Sequence, residues 1–260
     1  MTVDGEAPAG LADLERDGFL LVPGALDDEA VAWWKDTLYG MHRRGLNEID
    51  NSVGNVAFES LLKLAPEQSR LLVGHPSVAP YLRAVLGKQC QLRSLRAHMN
   101  PRAYLQEWHM DFPDYQYQER RSEAGRPLRA LCMNSTFYLT DNTPERGRLT
   151  FLTGYVDRRL PDAILPHVRY TKDRGNRFQR WCDEQPQEHL YPMAGDAVVF
   201  FSHIPHQGAK FGDDPEDDIR ANLVLHYQQN PMHPEIWFVS TPDLTLDALG
   251  YAGTFPFAEA

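Results

Sequence analysis

A small set of side chains has the types and spacing for metal chemistry. His109 and Asp111 stand two apart in Glu107-Trp108-His109-Met110-Asp111-Phe112. Residues two apart on an extended segment point to the same side, so one imidazole and one carboxylate can reach one ion. A lone His-x-Asp pair is common and reads equally well as a simple ion pair. The second half of the chain adds to it. Gly195-Asp196 forms a turn, Ala197 to Phe201 is wholly apolar, and Ser202-His203-Ile204-Pro205-His206 follows. His203 and His206 are three apart, so an extended segment turns them to opposite faces and only one can join the first pair. An acidic loop, Asp213 to Asp218, then leads into Ile219-Arg220. Two histidines and one carboxylate on one face are the donor set of non-haem Fe(II) oxygenase sites, which leave coordination positions open. A neighbouring arginine supplies a planar, always-charged fork for a carboxylate.

The order of these pieces resembles the phytanoyl-CoA dioxygenase (PhyH-like) family of Fe(II)/2-oxoglutarate oxygenases. Trp108 directly before His109 fits, and so does the run Leu139 to Leu149, which is similar to the family's pattern LxDxTxENGxL. Trp108 to Phe112, Arg129-Ala130-Leu131 and Leu139 to Asn142 are also similar to ectoine hydroxylases. The resemblance covers roughly residues 10–230. It implies a double-stranded β-helix (jelly roll, cupin-like) with Fe(II), 2-oxoglutarate and O2 as cofactor and co-substrates. The implied iron ligands are His109, Asp111 and His206, because the family spacing reaches His206, eleven residues after Gly195. Arg220 matches the arginine that holds the distal carboxylate of 2-oxoglutarate. The implied activity is hydroxylation of a small molecule, with release of succinate and CO2. Related halogenases carry Gly or Ala where Asp111 stands, so halogenation is disfavoured; desaturation, cyclisation and epimerisation share the same triad.

The chain departs from the family in three places. The spacing from His206 to Arg220 is slightly long, Gly154-Tyr155-Val156 replaces the usual Gly-Ser-His, and Gln207-Gly208 replaces an Asn after the ligand His. These differences bear on the substrate more than on the metal. Candidate contacts for 2-oxoglutarate are Asn134 and Thr136, on one face of an alternating strand with Cys132 and Tyr138. By the resemblance, His98 and Arg96 lie on a flanking strand and Tyr115 sits where relatives place an aromatic. His226 shares parity with Arg220 and reads as a satisfied core histidine. Phe112 to Tyr117, with Trp237 and Phe238, could line or cover a pocket for an amino-acid derivative or biosynthetic intermediate.

The elements that must position this set run as follows. Leu11 to Gly18 reads as a short helix and Phe19 to Val22 as a strand, closed by Pro23-Gly24. Asp27, Asp28 and Glu29 open a second helix, His42, Arg43 and Arg44 end it, and Gly45 stops it. Its stripe of Val31, Trp34, Leu38 and Met41 faces a core. A further helix is expected from Pro76 to Gly87. Beyond residue 89, strand-like runs appear at Leu92–Met99, Leu128–Thr140, Leu149–Leu152, Ala197–Phe201 and Ile219–Gln228, with an inserted helix over Arg174–Glu184. Helices in front and strands behind predict an α+β fold, a jelly roll with N-terminal helices packed on one side.

Composition bounds the partners. The 260 residues form one expected domain, 1–260, with 1–10 a polar arm. Lys plus Arg is 26, Asp plus Glu 36, and net charge −10, which argues against nucleic-acid and membrane-surface partners. Three dispersed cysteines and no apolar leader suit a cytoplasmic protein, expected as a monomer or homodimer. Two other classes compete. A non-catalytic jelly-roll binding protein would bind no stoichiometric iron, and a zinc hydrolase would have no use for Arg220.

Overall fold

The computed structural model describes residues 7–47, 49–50, 56–59, 61–86, 91–111, 130–158, 160–168, 177–215 and 218–228. Tyr115, the stretch 112–117, Trp237 and Phe238 lie outside the described residues.

The N-terminal half supplies α1 (Leu11–Asp17), β1 (Phe19–Val22), α2 (Asp28–Arg43), β2 (Ile49–Asp50), β3 (Val56–Phe58), α3 (Leu61–Leu64), α4 (Pro66–Val73) and α5 (Ala79–Leu86). Then come β4 (Gln91–Asn100), β5 (Tyr104–Leu105), β6 (Cys132–Tyr138), β7 (Gly147–Leu152), α6 (Arg177–Asp183), β8 (Gln187–Leu190), β9 (Ala197–Phe201), β10 (His206–Lys210) and β11 (Arg220–Gln228). A larger sheet runs β1-β9-β6-β11-β4-β3-β2 and a smaller one β5-β10-β7-β8. Among the described residues every neighbouring strand pair is antiparallel, the arrangement of a jelly roll.

Helix α2 starts where the sequence signals it. The Asp27 side chain accepts the Ala30 N–H at 2.8 Å, and acidic residues occupy the first turn. Trp34, Leu38 and Met41 are buried. Helices α2 to α5 cover the outer face of the larger sheet. The Tyr39 hydroxyl donates to the Ile219 carbonyl at 2.6 Å, and that of Tyr227 to Val73 on α4 at 3.0 Å. With helices on one face and the second sheet on the other, β6 and β9 are buried along their whole length. That explains the unbroken apolar run of β9. Between the sheets, Phe19 stacks on Phe151 at 4.4 Å, and Phe151 meets Phe200 edge-on at 5.1 Å.

Several boundaries differ from expectation. The strand expected over Leu128–Thr140 is confined to Cys132–Tyr138, with 128–129 outside the described residues. The helix expected from Pro76 begins at Ala79. His75 Nδ1 bonds the Ser77 hydroxyl at 2.7 Å, and this local bond holds the preceding residues in a turn. The inserted helix is confined to Arg177–Asp183, with 174–176 outside the described residues. Of the polar arm, residues 7–10 are described, and the Ala9 carbonyl accepts the Tyr81 hydroxyl at 2.6 Å. Among the described residues no helix is long and apolar enough to cross a membrane.

The Gly195-Asp196 turn fixes the start of β9. One Asp196 carboxylate oxygen accepts the Gly24 N–H at 3.0 Å and the other accepts the Met193 N–H at 2.8 Å. Gly195 has φ +90°, and a Cβ there would lie 2.8 Å from the Leu26 carbonyl oxygen. Gly195→Ala should therefore cost about 1–3 kcal/mol through left-handed strain alone, with the clash adding to it. Chemical denaturation would show this as a lower midpoint at an unchanged slope.

Candidate metal centre

The two histidines that matter are brought together by backbone pairing. His109 and His206 form an antiparallel bridge and exchange hydrogen bonds of 3.1 and 2.9 Å. Such directly opposed residues project side chains to the same face. Their ring centroids stand 4.2 Å apart. Asp111, two residues on, places Oδ1 3.6 Å from His109 Nε2 and Oδ2 3.3 Å from His206 Nε2. One potential ligand atom from each of the three lies within 4.8 Å of the others.

The protonation pattern suits a metal. His109 Nδ1 bonds the Glu107 carbonyl at 2.8 Å and His206 Nδ1 the Ile204 carbonyl at 2.9 Å. A carbonyl accepts only, so each Nδ1 carries a proton, and Nε2 is the nitrogen left to face Asp111 and a metal. His109 Nε2 also meets the Gln106 amide at 3.0 Å. Burial, assisted by the neighbouring His206, pushes the His109 pKa down to about 4, so the ring is neutral at neutral pH. Burial opposes charge on Asp111, but the imidazoles of His206 and His226 outweigh it and hold the carboxyl well below its usual range. Neutral imidazole and ionised carboxylate are the ligating forms.

His203 is elsewhere. It lies in the turn before β10, buried, with Nε2 bonded to the Val156 carbonyl at 3.1 Å.

The larger sheet forms the wall opposite. Antiparallel register stacks its inward residues in rows: Asn100 beside Arg220; His98, Asn222 and Tyr138; Arg96, Val224 and Thr136; Ser94, His226 and Asn134. The last row meets the metal cluster. The Asn134 amide donates to Asp111 Oδ2 and its carbonyl accepts the Ser202 hydroxyl at 2.8 Å. His226 Nε2 is 3.6 Å from the same Asp111 oxygen, and its Nδ1 meets Ser94 Oγ at 2.7 Å. Thr136 and His98 occupy the rows between that end and Arg220. His98 is half-buried, and desolvation with the nearby Arg96 pushes its pKa down to about 4. Arg96 itself pairs with Glu59 at 3.3 Å.

Arg220 is 3% exposed, and its Nε has no hydrogen-bond partner among the described residues. Among the described residues of the acidic loop, no carboxylate forms an ion pair with its side chain. Asp214 and Asp218 pair with Arg146 at 3.4 and 3.0 Å, and Lys210 and Lys35 take the same acids at 3.4 and 3.2 Å. Only the Arg220 backbone N–H is bonded to Asp214, at 2.8 Å. A buried guanidinium without such an ion pair fits an anionic group of a bound co-substrate.

Sequence reasoning missed His226 as a neighbour of Asp111, although its parity with Arg220 carried the signal. It also missed Gln106, Ser94 and Ser202, which have no motif and are found only through the three-dimensional pairing.

A jelly roll with two histidines and a carboxylate between its sheets defines the class of non-haem Fe(II) oxygenases. Comparison with known proteins narrows it. Residues 14–211 match the family "Phytanoyl-CoA dioxygenase (PhyH)". An ectoine dioxygenase of Bordetella bronchiseptica is 32% identical over 240 residues, covering 85% of this chain and 75% of that protein. The chain belongs to the phytanoyl-CoA dioxygenase family and is an Fe(II)/2-oxoglutarate-dependent dioxygenase. Two solved structures share the fold. HygX from Streptomyces hygroscopicus, with nickel and 2-oxoglutarate bound, gives a TM-score of 0.67 at 14% identity, covering 87% of this chain and 89% of that one. The epimerase SnoN from nogalamycin biosynthesis gives 0.58 at 23% identity, covering 85% and 84%.

Proposed function

We propose that this dioxygenase hydroxylates a C–H bond of a small molecule, an amino-acid derivative or a biosynthetic intermediate. In this reading His109, Asp111 and His206 hold the iron and Arg220 grips the distal carboxylate of 2-oxoglutarate. The observation that carries it is the convergence of the three ligand atoms within 4.8 Å of one another. The likeness to an ectoine dioxygenase supports a small, polar substrate.

When bound, Fe(II), 2-oxoglutarate and O2 supply the oxidising chemistry, with succinate and CO2 as by-products. The chain supplies geometry. The Nδ1–H bonds of His109 and His206 to carbonyls lock ring orientation and tautomer. Asn134, held by Ser202, orients Asp111 and remains, in this proposal, a contact for 2-oxoglutarate as well. Thr136 and His98, with Tyr115, remain our proposed contacts along 2-oxoglutarate. Phe151 and Phe200 pack 5.8 and 4.8 Å from the His206 ring and keep water from that side. The shared core of both sheets supports one catalytic domain. The buried thiols of Cys132 and Cys182 suit a reducing cytoplasm, and the acidic charge suits a monomer or homodimer without nucleic-acid or membrane partners.

Anaerobic reconstitution with Fe(II) and 2-oxoglutarate, followed by a substrate screen for coupled succinate release, tests this reading. Turnover under labelled O2 should give a product about sixteen mass units heavier with ordinary oxygen, and largely labelled with the heavy isotope. A product two mass units lighter than substrate and free of label would assign desaturation or cyclisation instead. An isobaric, unlabelled product would assign epimerisation.

A further inference from the structure

We propose that Gln179, on the inserted helix α6, is a positioning residue for the metal centre, acting on His109 through the backbone of Trp108. The inference rests on the iron reading above.

The ligand segment continues from β5 along the outer edge of the smaller sheet. It is bonded to β10 on one side, through Gln106 N–H to the Gly208 carbonyl at 2.8 Å and through the His109–His206 pair. In an antiparallel ladder, alternate residues turn their N–H and C=O away from the partner strand. Trp108 is such a residue, and it is buried at 2% exposure, so those groups need partners within the protein. One side chain supplies both. Gln179 Oε1 accepts the Trp108 N–H at 2.7 Å, and Gln179 Nε2 donates to the Trp108 carbonyl at 2.7 Å. A carboxamide carries a donor and an acceptor in the arrangement of a peptide group. Gln179 therefore takes the place of the missing neighbouring strand.

The indole of Trp108 is fixed from the same helix. Its Nε1–H donates to Asp183 Oδ1 at 2.8 Å, and residues 179 and 183 are one helical turn apart on one face. Three short bonds thus bind the residue directly before His109 to α6. The 4.2 Å spacing of the two imidazoles depends on the path of that strand. Gln179 itself is 4% exposed, so water cannot readily replace it.

Gln179→Leu removes both bonds at similar volume. It should weaken Fe(II) binding on the order of 10- to 100-fold, the usual effect of losing a group that orients a ligand. The readout is titration of the Fe(II)–2-oxoglutarate charge-transfer band, with the melting temperature of the metal-free protein measured alongside. Gln179→Glu keeps the acceptor and shape but sets a carboxylate against the Trp108 carbonyl; it should weaken iron comparably and serves where the leucine variant does not fold. Gln185→Leu is the control. Gln185 bonds the Trp181 carbonyl at 3.0 Å and the Tyr155 hydroxyl at 2.9 Å, so its loss should lower the melting temperature and leave iron affinity unchanged. Wild-type iron affinity in both Gln179 variants, whatever their melting temperatures, would overturn the proposal. Iron affinity that falls equally in Gln185→Leu would overturn it as well, by reducing it to general stability. A wild-type protein without the charge-transfer band would instead sink the iron reading, and this inference with it.

Discussion

Arg220→Ala should raise the 2-oxoglutarate dissociation constant by roughly two to three orders of magnitude, because leaving one partner of a buried charge pair alone costs about 3–5 kcal/mol. The burial of Arg220 sets this scale. The loss should be specific. The proposed iron ligands lie on other segments, so Fe(II) affinity in the absence of co-substrate should change little. Arg220→Lys should recover only part of the binding, since an ammonium is a point charge and cannot match both carboxylate oxygens as a fork does. Titration of 2-oxoglutarate against the Fe(II) protein under anaerobic conditions measures each step. Unchanged affinity in Arg220→Ala would transfer the role to another basic residue, Arg96 on the same wall or Arg102.

The second large effect concerns the choice of histidine. His206→Ala should abolish the Fe(II)–2-oxoglutarate charge-transfer band, and His203→Ala should retain it. His206 Nε2 faces Asp111 at 3.3 Å, whereas His203 spends its Nε2 on the Val156 carbonyl at 3.1 Å. Removing His203 therefore leaves a carbonyl unpaired and costs about 1–3 kcal/mol of stability without touching the metal. The reverse pattern would show that the turn before β10 is read in the wrong register.

The triad was legible because it obeys a local rule. His109 and Asp111 are two apart on extended chain, and alternation shows that His203 and His206 cannot both join them; the choice of His206 comes from the family spacing after Gly195. The larger sheet was legible where its strands are apolar throughout, as β9 is. Strand β10 was not. Its sequence, His206 to Lys210, holds a glycine and polar groups that become buried only because β5 and β7 close on both sides. Strand β8 is similarly polar and half exposed at a sheet edge, so no apolar period marks it. His226 reads as a core histidine in sequence because nothing in the local sequence shows that β11 lies beside Asn134, or that Asp111 reaches over both. Cross-strand neighbours are set by register, and register is a property of the closed sheet.

The pairing of β1 with β9 carries a consequence for how the chain is made. Phe19 finds its partner at Phe200, so the first strand emerges about 180 residues ahead of the strand that covers it. At ordinary synthesis rates, about 5–20 residues per second, that delay is roughly ten to forty seconds. During it, the apolar Phe-Leu-Leu-Val segment has no sheet to join. The Gly18 bend before it and the Pro23-Gly24 turn after it keep the sticky stretch to four residues. A short exposed strand between breakers aggregates less readily than a long one. The iron site forms later still in this order, since His206 must leave the ribosome before it can meet His109. Nascent chains stalled before β10 should hold no metal centre, however complete their helices.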